Sequence, residues 1–169
     1  MEGRVIYSVE KDIPYFTYSV DQAQIMFDNG KFKIWFENLY NAGHGDIGYA
    51  ESNDGLIWQI SDYNPVLTAG QPGSWDDYTV GLGYIFKENG IYKLYSLGAQ
   101  NAMGMVYPSD GIHWTKEVTN PVFKLSDVSN GWCTKISYPF SVMNGNDYRI
   151  YYSGYGKDNQ FHLGVAFGQ

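Results

Sequence analysis

The sequence predicts an all-β protein, a β-propeller whose four-stranded antiparallel blade occurs three times along the chain. Three observations carry this. Two linked motifs recur at a fixed offset of 56 residues. Turn-forming Asn-Gly pairs separate the strand-length segments. The central strands are apolar or aromatic on both faces, as in a blade covered by a neighbour on each side.

The repeat comes first. Asp54-Gly55-Leu56-Ile57-Trp58 matches Asp110-Gly111-Ile112-His113-Trp114, and Asn64-Pro65-Val66-Leu67 matches Asn120-Pro121-Val122-Phe123, both at 56 residues. Gly90 to Tyr95 matches Asn146 to Tyr151 at the same offset, and Gly30 to Trp35 is the earlier copy. Gly48, Gly104 and Gly164 hold one place in the third strand of each unit. Within a unit, strand one is an inner run such as Val80 to Phe86. Asn29-Gly30, Asn89-Gly90 and Asn144-Gly145 supply hairpin turns that need positive φ. Strand two covers 31–37, 91–97 and 148–153, and strand three covers 47–51, 103–107 and 163–167. Strand four is expected to run from the Trp of each Asp-Gly turn to the Asn-Pro-Val. Phe32, Ile34 and Phe36 line one face of the first strand two and Trp35 the other, whereas a sheet with one wet face would alternate apolar and polar residues. No segment shows a helical period.

The amino-terminal stretch adds an unpaired fourth strand. Tyr7 stands seven residues before Pro14, the same aromatic-to-proline spacing as Trp58 to Pro65 and Trp114 to Pro121. The third unit ends after three strands. The expected organisation is a single domain over 1–169. Within it, 1–17 is an outer strand that completes a blade elsewhere, 18–69 and 70–125 are blades, and 126–169 is a three-stranded partial blade. Propellers usually close with four to eight blades. Two chains joined about a two-fold axis would close six blades, each outer strand completing a blade of the other chain. The rival arrangement is part of a five-bladed propeller, or a neighbour of another polypeptide.

Composition narrows the partners. Of 169 residues, 44% are hydrophobic and 17% charged, which indicates a globular chain. Aromatic residues reach 18%, suited to pleated surfaces and to stacking on sugar rings. A net charge of -7 disfavours nucleic acid and anionic membrane surfaces. No apolar run approaches the roughly 18 residues of a membrane helix. The absence of a signal segment leans toward the cytoplasm. The single Cys133 excludes an internal disulfide and reads as a small packing residue. His44, His113 and His162 share no repeat position and no metal-ligand spacing, so neither a metal nor a cofactor is expected.

Ser52 to Trp58, followed by Asn64-Pro65-Val66-Leu67 and Gly73-Ser74-Trp75-Asp76, resembles the repeating unit of the five-bladed propeller glycosidases. These are glycoside hydrolase families 32, 43, 62 and 68 and the family 130 mannoside phosphorylases. The second copy, Ser109 to Trp114 with Asn120-Pro121-Val122, resembles it equally. The Asp-Gly turn is also similar to the Asp box of six-bladed sialidases, one residue shorter. The resemblance implies an axial sugar pocket ringed by two aspartates and a glutamate from different blades. Here the matching inner-strand positions hold Asp21, Gly81 and Ser137-Tyr138, so only Asp21 is a carboxylate.

The strand order places two loop sets around one mouth: 38–45, 99–102 and 155–161, with 17–20, 68–79 and 124–135. Acids near it are Asp21, Glu37, Asp46, Asp76, Asp77, Asp127 and Asp158. Glycoside cleavage needs two carboxyl groups about 5 to 9.5 Å apart. Asp21 on an inner strand and Glu37 at the end of strand two are the best placed, with Asp77 third; Asp76 reads as a loop clamp. Tyr18, His44, Trp75, Tyr78, Trp132 and Tyr138 are the candidate sugar-holding residues; covering blade seams is the other role open to the tryptophans. The expected function is a carbohydrate-active protein similar to furanosidase-type propeller glycosidases, working as a homodimer. The alternatives are a non-catalytic carbohydrate-binding module and a propeller scaffold without ligand.

Overall fold

A computed structural model describes residues 19–41, 43–99, 101–108, 110, 112–144 and 147–168. The fold is all-β, with three antiparallel sheets in chain order. Blade 1 is β1 (Ser19–Asp28), β2 (Lys31–Asn41), β3 (His44–Ser52) and β4 (Gln59–Ile60). Blade 2 is β5 (Val80–Glu88), β6 (Ile91–Gly98), β7 (Ala102–Pro108) and β8 (Trp114–Lys116), with β9 (Phe123–Lys124) also on β7. Blade 3 is β10 (Cys133–Asn144), β11 (Asp147–Gly156) and β12 (Phe161–Gly168). Two single turns of 3-10 helix, Leu125–Asp127 and Ser129–Gly131, lead into β10. The expected outer strand within 1–17 lies outside the described residues.

Strand register superposes the blades residue by residue. Phe36 pairs with Gly48, Ser96 with Gly104 and Tyr152 with Gly164. On the inner side Asp21 pairs with Glu37, Gly81 with Leu97 and Ser137 with Ser153. Asp21, Gly81 and Ser137 are therefore equivalent, as the repeat implied. Each inner strand then carries a bulge, at Gln22, Gly83 and Tyr138-Pro139.

The fourth strand differs from expectation: it is broken in both complete blades. Ser61 donates to the Tyr49 carbonyl, and the chain then leaves the ladder until Val66 donates to the Ile47 carbonyl. The Asn64 side chain fills the gap, accepting from the Tyr49 N–H at 2.8 Å and donating to the Tyr49 carbonyl at 3.1 Å. Asn120 treats Met105 the same way, at 2.7 and 2.9 Å. A carboxamide offers one donor and one acceptor side by side, so it mimics a strand residue while the backbone bends into the following proline. That is the physical reason the Asn-Pro-Val repeats.

The Asp-Gly turns are structural, as read from the sequence. Asp54 Oδ1 accepts from the Leu56 and Ile57 N–H groups, and Asp110 Oδ1 from Ile112 and His113. Burial pushes the Asp110 carboxyl up, but the hydrogen bonds from the His113 backbone and ring and from the Ile112 N–H together outweigh it and hold the group down at about 2.

Apolar side chains fill the seams. Trp35, Ile47 and Tyr49 of blade 1 meet Val80, Leu82, Ile85, Tyr92, Leu94 and Val106 of blade 2. Tyr95, Met103, Met105 and Phe123 of blade 2 meet Ile136, Ile150 and Tyr152 of blade 3, with Cys133 in the same cluster. Each seam also carries a polar clamp. Asp28 receives Lys87 at 2.7 Å and the Tyr92 hydroxyl, and Glu88 receives Lys93 and the Tyr148 hydroxyl. Gln24 joins the inner strands, accepting from the Ile85 N–H at 2.8 Å and donating to its carbonyl.

Replacing Asn64 by Ala strands the Tyr49 N–H in a partly buried place and leaves the Tyr49 carbonyl with the Ser61 N–H as its donor. Asn64→Ala and Asn120→Ala are each expected to cost about 1–3 kcal/mol of unfolding free energy, read from urea denaturation, with each loss independent of the other.

Candidate functional site

The two predicted loop sets meet at one end of the blades. Gly45, at the start of β3, bridges to Thr79, the residue before β5. Leu125 donates to the Asn101 carbonyl, and Lys157 to the Trp132 carbonyl. The Asn-Gly and Asp-Gly turns lie at the other ends of these strands.

Glu37 organises the mouth at blade 1. It lies near the end of β2, after a run of apolar residues, and is only 8% exposed. Its carboxylate crosses the seam to the inner strand of blade 2. A Cβ on Gly81 would sit 3.5 Å from Glu37 Oε2, and the Leu82 backbone N–H donates to the carboxylate. Asp21 is paired directly across the ladder from Glu37 and is exposed to solvent. Its own Oδ1 accepts from the Gln22 N–H at 2.8 Å within the bulge. Asp46, buried on β3, is paired with buried Asn38, the neighbour of Glu37.

Burial drives the Glu37 carboxyl up to about 7, with the negative charge of Asp21 and then of Asp46 adding to the rise; the Leu82 hydrogen bond opposes it. An acid held near neutrality can keep its proton in a site that also holds an ionised carboxylate. That combination suits proton donation.

Next to this cluster, three rings run along the mouth. Tyr40 lies edge-on to His44 at 6.4 Å, and His44 edge-on to Tyr78 at 5.2 Å. Burial and the charge of Asp46 raise the Tyr40 hydroxyl above its ordinary range. Tyr78 is exposed and adopts φ 68, which turns its backbone outward before β5. Tyr40 and Asn38 were not singled out from the sequence. The available signal was two polar side chains following Glu37 in an otherwise apolar strand.

The remaining candidates lie apart from Glu37. Asp77 is buried in its own loop, where its Oδ2 accepts the Gly73 N–H at 2.9 Å. Asp76 clamps the same loop through the Ser74 hydroxyl at 2.9 Å and Lys116 at 2.5 Å. Trp75 packs over Gly98 and Gly104 of blade 2, where any Cβ would meet it at 2.7 Å or less. Trp132 packs over Gly154 of blade 3 and stacks on Tyr152 at 6.2 Å. Gly154 is the register equivalent of Gly98, so the two tryptophans fill matching places. Tyr138 stands exposed at the β10 bulge with φ 50. Tyr18 lies outside the described residues. Among the described residues no group of three His, Cys, Asp or Glu side chains gathers to hold a metal ion. No helix among them is long and apolar enough to cross a membrane.

Solved structures share this fold. A family 117 glycoside hydrolase of the marine bacterium Zobellia galactanivorans superposes with a TM-score of 0.73 at 17% identity, covering 99% of this chain and 50% of that one. An exo-1,5-α-L-arabinanase from a bovine ruminal metagenomic library gives 0.67 at 15% identity, over 98% and 59%. The chain is thus a partial propeller of the type seen in glycoside hydrolases, spanning about half the length of these neighbours. An uncharacterized protein of Mycobacterium tuberculosis is 24% identical over 105 residues, 57% of this chain and 34% of the relative. No protein-family model matches the chain.

The raised Glu37 makes stability depend on pH. Its folded value of about 7 exceeds the unfolded 4.5, so the folded state favours the proton. Below the unfolded value the group costs nothing; as pH rises from 4.5 to 7 stability falls, and above that it is level. Glu37→Gln is expected to remove this slope and to be more stable than the parent at pH 8 by on the order of 2–4 kcal/mol, with equal stability at pH 4. Unfolding curves across that range read it directly.

Proposed function

We propose that this chain is a carbohydrate-active protein of the furanosidase-like type, with an axial sugar pocket at the mouth beside Glu37 and Asp21. The observation that carries this is a buried acid held at about 7, directly across one ladder from an exposed carboxylate. Opposed residues on antiparallel strands have Cβ atoms about 5 Å apart. From there two carboxyl groups reach the separations that glycoside cleavage uses. In this reading the Glu37 carboxyl gives its proton to the glycosidic oxygen as the carbon–oxygen bond breaks. Asp21 stabilises the positive charge left on the sugar, or activates the water that completes hydrolysis. His44, Tyr78 and Tyr138 offer rings at the mouth, with Tyr18 leading into β1, while Trp75, Trp132 and Asp77 hold the loops that shape it. The glycoside hydrolase neighbours share the propeller, and that shared architecture adds support to a sugar ligand. The functional unit is a homodimer that closes six blades.

A second reading has its own observation. The positions equivalent to Asp21 are Gly81 and Ser137, so blades 2 and 3 offer no carboxylate at this place on the inner strand. A pocket with one carboxyl pair and several rings also suits a module that binds sugar without cleaving it.

A panel of aryl furanosides and pyranosides, with calorimetry on the same oligosaccharides, separates the two. Hydrolysis is expected, falling as pH passes about 7 and Glu37 loses its proton. Glu37→Gln and Asp21→Asn should each lower turnover by about 100-fold or more with the sheet signal intact. Unchanged turnover in Asp21→Asn sinks the catalytic assignment. Binding heat without any turnover in the parent establishes the binding module instead.

A further inference from the structure

The face of blade 3 that points away from blade 2 is built like a seam and is bare. Register makes Tyr151, Leu163 and Val165 equivalent to Trp35, Ile47 and Tyr49 of blade 1 and to Tyr95, Met103 and Met105 of blade 2. Those six are between 0% and 7% exposed, whereas Tyr151 is 38%, Val165 41% and Leu163 83% exposed. Phe161 and Phe167, on the same side of β12, are exposed as well. An apolar stripe of this kind along a free strand edge is a surface made to be covered.

The edge of β12 is also unpaired among the described residues. At the equivalent places, Ile47 donates to Leu67 and accepts from Val66, and Tyr49 is held by Asn64. Leu163 and Val165 therefore present the same outward N–H and carbonyl groups with no fourth strand beside them.

The sequence contains a matching segment. In residues 4–16 the Tyr7-to-Pro14 spacing repeats Trp58-to-Pro65, which aligns Tyr15 with Val66 and Phe16 with Leu67. In the chain this segment precedes β1, the first strand of blade 1. Ile13 occupies the place of Asn64, so the amide clasp is absent and the strand would be held by backbone bonds at Leu163 and by apolar contact.

We propose that the occupant is a second copy of this chain, whose residues 4–16 add to β12 as the fourth strand of blade 3. The exchange is reciprocal. Blade 1 of each copy then follows blade 3 of the other, Phe16 of one lies opposite Leu163 of its partner copy, and the bare face becomes a third kind of seam. This rests on the homodimer reading above and gives the expected outer strand its seat and register on β12.

Three measurements on the full chain test it. Light scattering after size exclusion should give twice 19.2 kDa for the parent. Leu163→Pro deletes an N–H that points away from β11, leaving the existing ladder intact while blocking the added strand; its mass should halve. In the double variant Phe16→Cys, Leu163→Cys, opposed Cα atoms about 5.5 Å apart fall within disulfide reach. Oxidation should yield a chain-to-chain dimer on a non-reducing gel. A monomeric parent overturns both the homodimer and the exchange. A dimeric parent whose cross-link is absent, or forms within one chain, overturns the exchange alone and leaves the homodimer standing. The cross-link arm decides the matter even if Leu163→Pro fails to fold.

Discussion

A blade that is apolar on both faces cannot stand in water by itself, and everything else in this molecule follows from how its faces are covered. The Trp35–Tyr49 side of blade 1 is closed by Leu82, Ile85 and Leu94, and the Tyr95–Met105 side of blade 2 by Ile136, Ile150 and Tyr152. Apolar burial of this kind contributes about 25 cal/mol per Å² removed from water, far more than the exposed turns can supply. The polar clamps at Asp28 and Glu88 sit at the seam ends, where they orient one blade on the next. The edges of the row are where this logic leaves a face open.

The same seam sets the proton affinity of Glu37. Glu37 belongs to blade 1 but rests over Gly81 and takes its hydrogen bond from Leu82 of blade 2. Neither blade alone would bury the carboxyl, and without burial its proton would be lost well below neutrality. The buried acid is thus a by-product of blade packing. Chemistry of this sort is easily moved by small shifts between blades, because a desolvated acid responds to every change in its cover.

Repetition with variation explains the division of labour among equivalent positions. The inner-strand place holds Asp21, Gly81 and Ser137; the place opposite holds Glu37, Leu97 and Ser153. One blade offers a carboxyl pair, the next a glycine facing a leucine, and the third a pair of hydroxyl groups. The tryptophans at 75 and 132 keep one packing role in two blades, each lying over glycines that a methyl group would displace. Scaffold positions repeat because the backbone demands them, and site positions diverge because the backbone does not.

The sequence by itself determined the blade and its strand order. The 56-residue offset, the Asn-Gly turns and the glycines at 48, 104 and 164 are local requirements of backbone geometry, and such requirements are written in residue type and spacing. It also pointed to Asp21 and Glu37 through their places on strands one and two. Only the tertiary structure decided that these two are ladder partners, that Glu37 is buried across a seam while Asp77 turns into its own loop, and that Asn64 and Asn120 substitute for strand residues. The physical reason is that burial and proton affinity belong to no single segment. They are set by what another blade brings against a side chain, and residues 37 and 82 meet only when two blades pack.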